Sequence, residues 1–216
     1  MTAPPPDWLA DIRASYDTVA DSYADQTRGS VAAEPYLRAG LNLFADLVRA
    51  SGPGPVVDVG CGPGHIAAHL HGLGLDVFGI DLSPAMIAIA RREYPELRFD
   101  VGSMTDLDLA DASAAGLLAF WSLIHIPGDA VPGVLGQFRR VLRPGAPLLV
   151  GFHVGDTSKV KTQGYGGRPM KVHVHHRRPE SVAAWLRDAG FIVTAELLVK
   201  LDQGTPGAML YAHRAP

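Results

Sequence analysis

Residues 55–70 read PVVDVGCGPGHIAAHL. A short apolar run with β-branched residues, suited to a strand buried on both faces, runs into three glycines spaced G-x-G-x-G at Gly60, Gly62 and Gly64, and then into a helical pattern with Ile66, Leu70 and Leu73 inward. Glycines let the backbone turn tightly and approach a ligand, and a helix start offers unpaired N–H groups. Asp58 lies in the strand, and Asp81 ends the next one (DVFGID, 76–81), where a carboxylate can accept hydrogen bonds from both hydroxyls of a ribose. A dinucleotide fingerprint would need glycine at position 65, where His65 stands, so the expected ligand is a nucleoside without a pyrophosphate.

Outward from this stretch, Trp8, Ile12, Tyr16, Val19 and Tyr23 form one stripe of an amphipathic helix, and Leu37, Leu41, Phe44 and Val48 a second, broken by SGPGP at 51–55. Downstream, Ser83 reads as an N-cap with Pro84 at the first helical position and Met86 and Ile87 behind it. Further strands are expected at 97–103, 116–122 and 147–153, with a helix through Val131, Leu135 and Phe138. Residues 154–178 interrupt the rhythm with glycines, lysines and histidines, and KVHVHH (171–176) alternates as a strand would, with His173 and His175 on one face. A helix over 179–189 and two strands, 191–200 and 208–214, separated by QGTPG, close the pattern. The fold class is α/β: a Rossmann-like, doubly wound, mostly parallel seven-stranded sheet with an antiparallel edge. The expected organisation is a single domain over 1–216, with an N-terminal helical cover (1–50) and a lid or substrate insert (154–178). Ligands bind outside the carboxyl ends of such strands.

With 216 residues, 47% hydrophobic, one compact domain is expected, leaving little chain for a separate substrate domain. Nineteen Lys and Arg against 22 Asp and Glu give a net charge of −3, which disfavours a polyphosphate partner. The lone Cys61 rules out an internal disulfide and a cysteine-based zinc cluster. Without a leader-like start or an eighteen-residue apolar run, the expectation is a soluble, cytoplasmic protein with no membrane partner.

The motifs VVDVGCGPGHIAAHL, FGIDLSPAMIAIAR, FDVGSMTDLDL, LLAFWSLIHIP and RRVLRPGAPLLVGFH, in that order over about two-thirds of the chain, resemble the class I S-adenosylmethionine-dependent methyltransferases, especially small bacterial members acting on small molecules. YDTVADSYA (16–24) resembles the helix those enzymes fold over the cofactor. The resemblance implies that Asp58, Gly60 and Gly64 line the methionine end of S-adenosylmethionine, with Cys61 and Gly62 in the same loop. It puts the ribose on Asp81, with Leu82 flanking the adenine, Ser103 and Met104 at its edge, and Ser83, Met86 and Gly102 beside them. Many relatives carry an acidic residue where Ser103 stands. Trp121 and Ser122 would approach the sulfonium, and Tyr16 and Tyr23 would close the site. The product would be S-adenosylhomocysteine.

Methyl transfer is an in-line displacement in which alignment and water exclusion do much of the work. A base helps when the acceptor is a hydroxyl or a protonated amine, and His125 is placed to serve as one or to shape the pocket wall. His153, Tyr165, His173 and His175 are candidate substrate contacts, and a histidine-lined pocket suits an anionic or aromatic polar substrate. His153, His173 and His175 together invite a metal, but no carboxylate accompanies them at tight spacing, and no metal site is assigned. FWSLIHIP is not the Asn/Asp-Pro-Pro-aromatic signature of base-amino methylation, which argues against nucleic acid and for a small-molecule acceptor, with oxygen or nitrogen favoured. A non-catalytic S-adenosylmethionine-binding module and a nicotinamide oxidoreductase are the alternatives.

Overall fold

The structure is a computed structural model that describes residues 7–199 and 205–216. The two N-terminal stripes form α1 (Asp7–Thr27) and, after a single turn α2 (Ser30–Ala33), α3 (Pro35–Ser51). The alternating region follows as β1 (Val56–Val59), α4 (His65–Gly72), β2 (Val77–Asp81), α5 (Pro84–Glu93), β3 (Arg98–Val101), β4 (Gly116–Phe120), α6 (Val131–Val141) and β5 (Pro147–His153). The insert is a separate antiparallel hairpin of β6 (Thr157–Gln163) and β7 (Pro169–His176), followed by α7 (Pro179–Asp188), β8 (Phe191–Val199) and β9 (Gly207–Arg214). Gln203 and Gly204 of the QGTPG turn lie outside the described residues, as does Lys200.

The main sheet has seven strands in the order β3-β2-β1-β4-β5-β9-β8. Its first five are parallel, and β9 runs antiparallel to both neighbours, so the two closing strands make the antiparallel edge pair. Alternation along the strands divides the core. Val57, Val59, Leu117, Ala119, Leu148 and Val150 face α6 and α7 through Leu135, Phe138 and Leu186, while Val56, Leu118 and Leu149 face α3 and α4 through Leu41, Phe44 and Leu70. With both faces covered, the strands read as continuous apolar runs.

Strand order reverses between β1 and β4, which opens a crevice at their carboxyl ends. β3 and β4 stop before the expected 103 and 122 because the chain leaves the ladder there. Ser103 turns back to bridge Asp106, and Trp121 adopts φ 52°. Over the crevice lies α1, wedged between hairpin and sheet domain. Val19 packs on Met170 and Val172 of β7, and Ala20 and Ala24 pack on Met86 and Ile89 of α5. Among the described residues no helix is long and apolar enough to cross a membrane.

Candidate active site

The glycine loop is held by backbone geometry that only glycine supplies. Gly60 sits at φ 78°, and a Cβ there would lie 2.3 Å from Cβ of Ser122, whose hydroxyl donates to the Val59 carbonyl at 2.7 Å. Gly64 caps α4 at φ 86°, but its α-carbon faces Phe99 and Ala90, so its part is to seat α4 rather than to line a cavity. Cys61 is buried, its sulfur against Gly79, with its thiol pushed well up by burial and the nearby carboxylates.

Asp81 accepts from the Gly62 amide through Oδ2 and from the Ser83 amide through Oδ1, both at 2.8 Å. Each oxygen keeps a lone pair for a further donor. Burial raises its pKa, and these amides pull it back. Asp58 is almost wholly buried and its Oδ2 has no hydrogen-bond partner. Burial, then the charge of Asp81, pushes its carboxyl up to about 8.

Two cavities share Tyr23, Gly60, Gly62, Phe120 and Trp121 in their walls. The first, about 680 Å³ with its mouth, brings together Tyr16, Asp81, Leu82, Met86, Gly102, Ser103, Met104, Ser122 and His125. The second, about 1080 Å³ with its mouth, lies over the ends of β4, β5 and β9 and contains Asp58, Cys61, Tyr36, Leu37, Met209 and His153. Ser83 is buried beneath the first as the N-cap of α5, accepting from the Met86 amide at 3.1 Å.

Hydrogen bonding fixes the tautomers of two histidines. His125 Nδ1 lies 2.8 Å from the His173 carbonyl, which can only accept, so Nδ1 carries the proton. Nε2 then accepts from the Tyr16 hydroxyl at 2.7 Å. Burial lowers the His125 pKa to about 4, so the ring is neutral at pH 7, and burial, with the Asp81 carboxylate nearby, keeps Tyr16 protonated. His153 takes the opposite form: the Trp121 indole N–H donates to its Nδ1 at 3.2 Å, leaving the proton on Nε2.

The remaining insert residues fall elsewhere. Val172 and Val174 of β7 turn towards α1, so alternation sends the rings of His173 and His175 to the other side, where they stack on each other at 5.9 Å. Neither ring lines either cavity. His173 enters the site only through its carbonyl. Tyr165 packs edge-on against Tyr23 at 4.6 Å, behind the first cavity rather than in its wall. Among the described residues no group of three or more His, Cys, Asp or Glu could hold a metal.

Several residues that the sequence did not single out complete the site. Asp17 accepts from the Ser83 hydroxyl at 2.5 Å and the Ala85 amide at 3.1 Å, tying α1 to the start of α5. Ser15 and Ser22 tie α1 to the insert through the Lys171 amide and the Tyr165 carbonyl. Buried Arg177 donates to the carbonyls of Leu123 and Ile126 and so fixes the loop that carries His125. Phe120 lines both cavities.

A methyltransferase-domain family profile matches residues 56–145, which span the glycine loop, Asp81 and the loop bearing His125. The chain belongs to the class I S-adenosylmethionine-dependent methyltransferases. Among the relatives of this chain, O-methyltransferase cnsE of Penicillium expansum is 30% identical over 68% of the chain and 59% of its own length. The dTDP-3-amino-3,6-dideoxy-alpha-D-glucopyranose N,N-dimethyltransferase of Streptomyces fradiae is 32% identical over 68% of the chain and 55% of its own. The chain thus spans little more than half the length of these relatives. In fold it is similar to Burkholderia thailandensis 1,6-didemethyltoxoflavin-N1-methyltransferase, solved with 1,6-didemethyltoxoflavin and S-adenosylhomocysteine, with a TM-score of 0.76 at 20% identity over all of this chain and 92% of that one.

Proposed function

We propose that the chain transfers a methyl group from S-adenosylmethionine to an oxygen or nitrogen of a small molecule. The observation that carries this reading is the pair of carboxylates at the ends of β1 and β2. Asp81 is oriented by two backbone amides with lone pairs to spare, and Asp58 is buried with an orphaned oxygen. A ribose diol suits the first, and the ammonium of an amino-acid tail suits the second. Leu82, Met86 and Met104 offer apolar walls for an adenine, and the Gly60–Ser122 contact leaves the loop no side chain to fill the cradle. When bound, the cofactor supplies an electrophilic methyl group on a sulfonium.

The chain's own residues contribute alignment, exclusion of water and a place for a proton. Tyr16 closes the first cavity from above, and its hydroxyl oxygen can accept the acceptor's proton while its own proton moves to His125 Nε2. The imidazolium so formed keeps its Nδ1–H on the His173 carbonyl. A ring with pKa about 4 is a weak base, so positioning carries most of the rate and the relay assists acceptors already acidified at the site. The oxygen and nitrogen methyltransferases among the relatives support these two acceptor atoms. Absence of a basic stripe favours a metabolite over nucleic acid.

Incubation with S-[methyl-14C]adenosylmethionine and panels of phenols, carboxylates and amines tests the proposal. Label is expected in at least one oxygen or nitrogen acceptor. Tight cofactor binding with no transfer to any class would replace the catalytic reading with that of a binding module.

A further inference from the structure

The second cavity holds a device that the transfer chemistry above does not use. Trp121 sits in the left-handed backbone region, φ 52°, a costly conformation for a bulky residue, of the kind that clusters at functional sites. That conformation lays its indole against Gly151 and Gly207, where a Cβ would come within 2.7 and 2.9 Å of the ring, and delivers its N–H to His153 Nδ1. Because indole nitrogen only donates, the lone pair of His153 is spent on Trp121, and its remaining nitrogen is a fixed N–H donor. Among the described residues that Nε2–H has no protein partner, nor is it sealed from the cavity His153 lines. The backbone of His153 is held as well, by its pairing with Gly207 and by the Arg177 amide on its carbonyl at 2.9 Å.

The cavity wall joins aromatic and apolar Tyr36, Leu37, Phe120 and Met209 with polar Thr27, Ser30 and Thr205, and among its described residues it has no lysine or arginine. An anionic substrate would meet Glu34 with no lysine or arginine among the described wall residues to offset it. Resting on the methyltransferase reading, we propose that the part of the second cavity beyond Asp58 houses the ring of the acceptor, whose reacting atom reaches the first cavity past the shared wall of Phe120 and Trp121, and that the Trp121–His153 pair selects an uncharged, planar aromatic metabolite by donating His153 Nε2–H to a ring carbonyl oxygen.

The test uses the full chain saturated with S-adenosylhomocysteine. Two-bond 1H–15N spectra of imidazole-labelled protein should show His153 as the Nε2–H tautomer, and Trp121→Phe should release it to a mixture. Fluorenone and fluorene, which differ only by a carbonyl against a methylene, then serve as probes. Fluorenone should bind about three- to ten-fold more tightly, the worth of one neutral hydrogen bond. The preference should vanish in His153→Phe and persist in His153→Gln, which restores a donor. An Nδ1–H tautomer, or equal affinities in the unaltered protein, would overturn the inference. Failure of S-adenosylhomocysteine itself to bind would overturn the methyltransferase reading beneath it, a separate result.

Discussion

The Tyr16 hydroxyl donates to His125 Nε2 across 2.7 Å, joining the cover helix to the loop after β4, while the other nitrogen of the same ring holds the β7 backbone. One imidazole therefore fastens three segments that lie far apart in sequence. Its neutral form is required, since a protonated Nε2 could not accept from Tyr16.

Tyr16→Phe removes the donor and leaves His125 Nε2 without its partner. Methyl transfer to a relay-dependent hydroxyl acceptor should fall about 10- to 100-fold, while affinity for S-adenosylhomocysteine by calorimetry should change less than about three-fold, because the variant keeps the aromatic wall. Loss of binding in proportion to rate would instead make Tyr16 a cofactor contact alone.

Cofactor binding should release a proton. Free Asp58 titrates near 8 and is largely protonated at pH 7; a neighbouring ammonium favours the carboxylate. Titration with S-adenosylhomocysteine at pH 7 in buffers of different ionisation enthalpy should show release approaching one proton, and Asp58→Asn should abolish it.

Acid should destabilise the free protein before its ordinary carboxylates titrate. His65, His125 and His153 are each lowered to about 4, so between pH 6.5 and 4 the unfolded chain binds protons there that the folded chain does not. Their stabilisation is present above pH 6.5 and lost as pH falls through that window. Asp58 and Asp81 act oppositely, since their raised pKa values make the folded state hold protons that the unfolded state has lost, but the three histidines outweigh the two carboxylates. Urea unfolding at pH 5 should give a smaller free energy than at pH 7, and His125→Asn should flatten the difference.

Two glycine substitutions should part company. Gly60→Ala drives a methyl group into Ser122 at a positive φ and should abolish S-adenosylhomocysteine binding at a stability cost of about 1–3 kcal/mol. Gly133→Ala, in α6 with open space around its α-carbon, should gain about 0.4–1 kcal/mol in the same unfolding assay.

How far the sequence could be read follows from where each signal is encoded. PLLVGFH occupies Pro147–His153 as β5, and the α1 stripe is real, because burial periodicity is local. Asp58, Asp81 and the glycines were legible because strand, turn and helix follow one another in the chain. β6 was not: TSKVKTQ is exposed and is a strand only because β7 pairs with it. Asp17 and Arg177 bind groups 66 and 54 positions away, so nothing near them in sequence announced their roles. The alternation that put His173 and His175 on one face was correct, but which face met the site was set by α1 burying Val172.

Thermal unfolding with S-adenosylhomocysteine, against NAD at the same concentration, tests the central claim most directly, with Asp81→Ala beside the unaltered chain. The account predicts a clear rise in Tm with S-adenosylhomocysteine, none with NAD, and loss of the rise in the variant. Equal stabilisation by both ligands, or by neither, would contradict it.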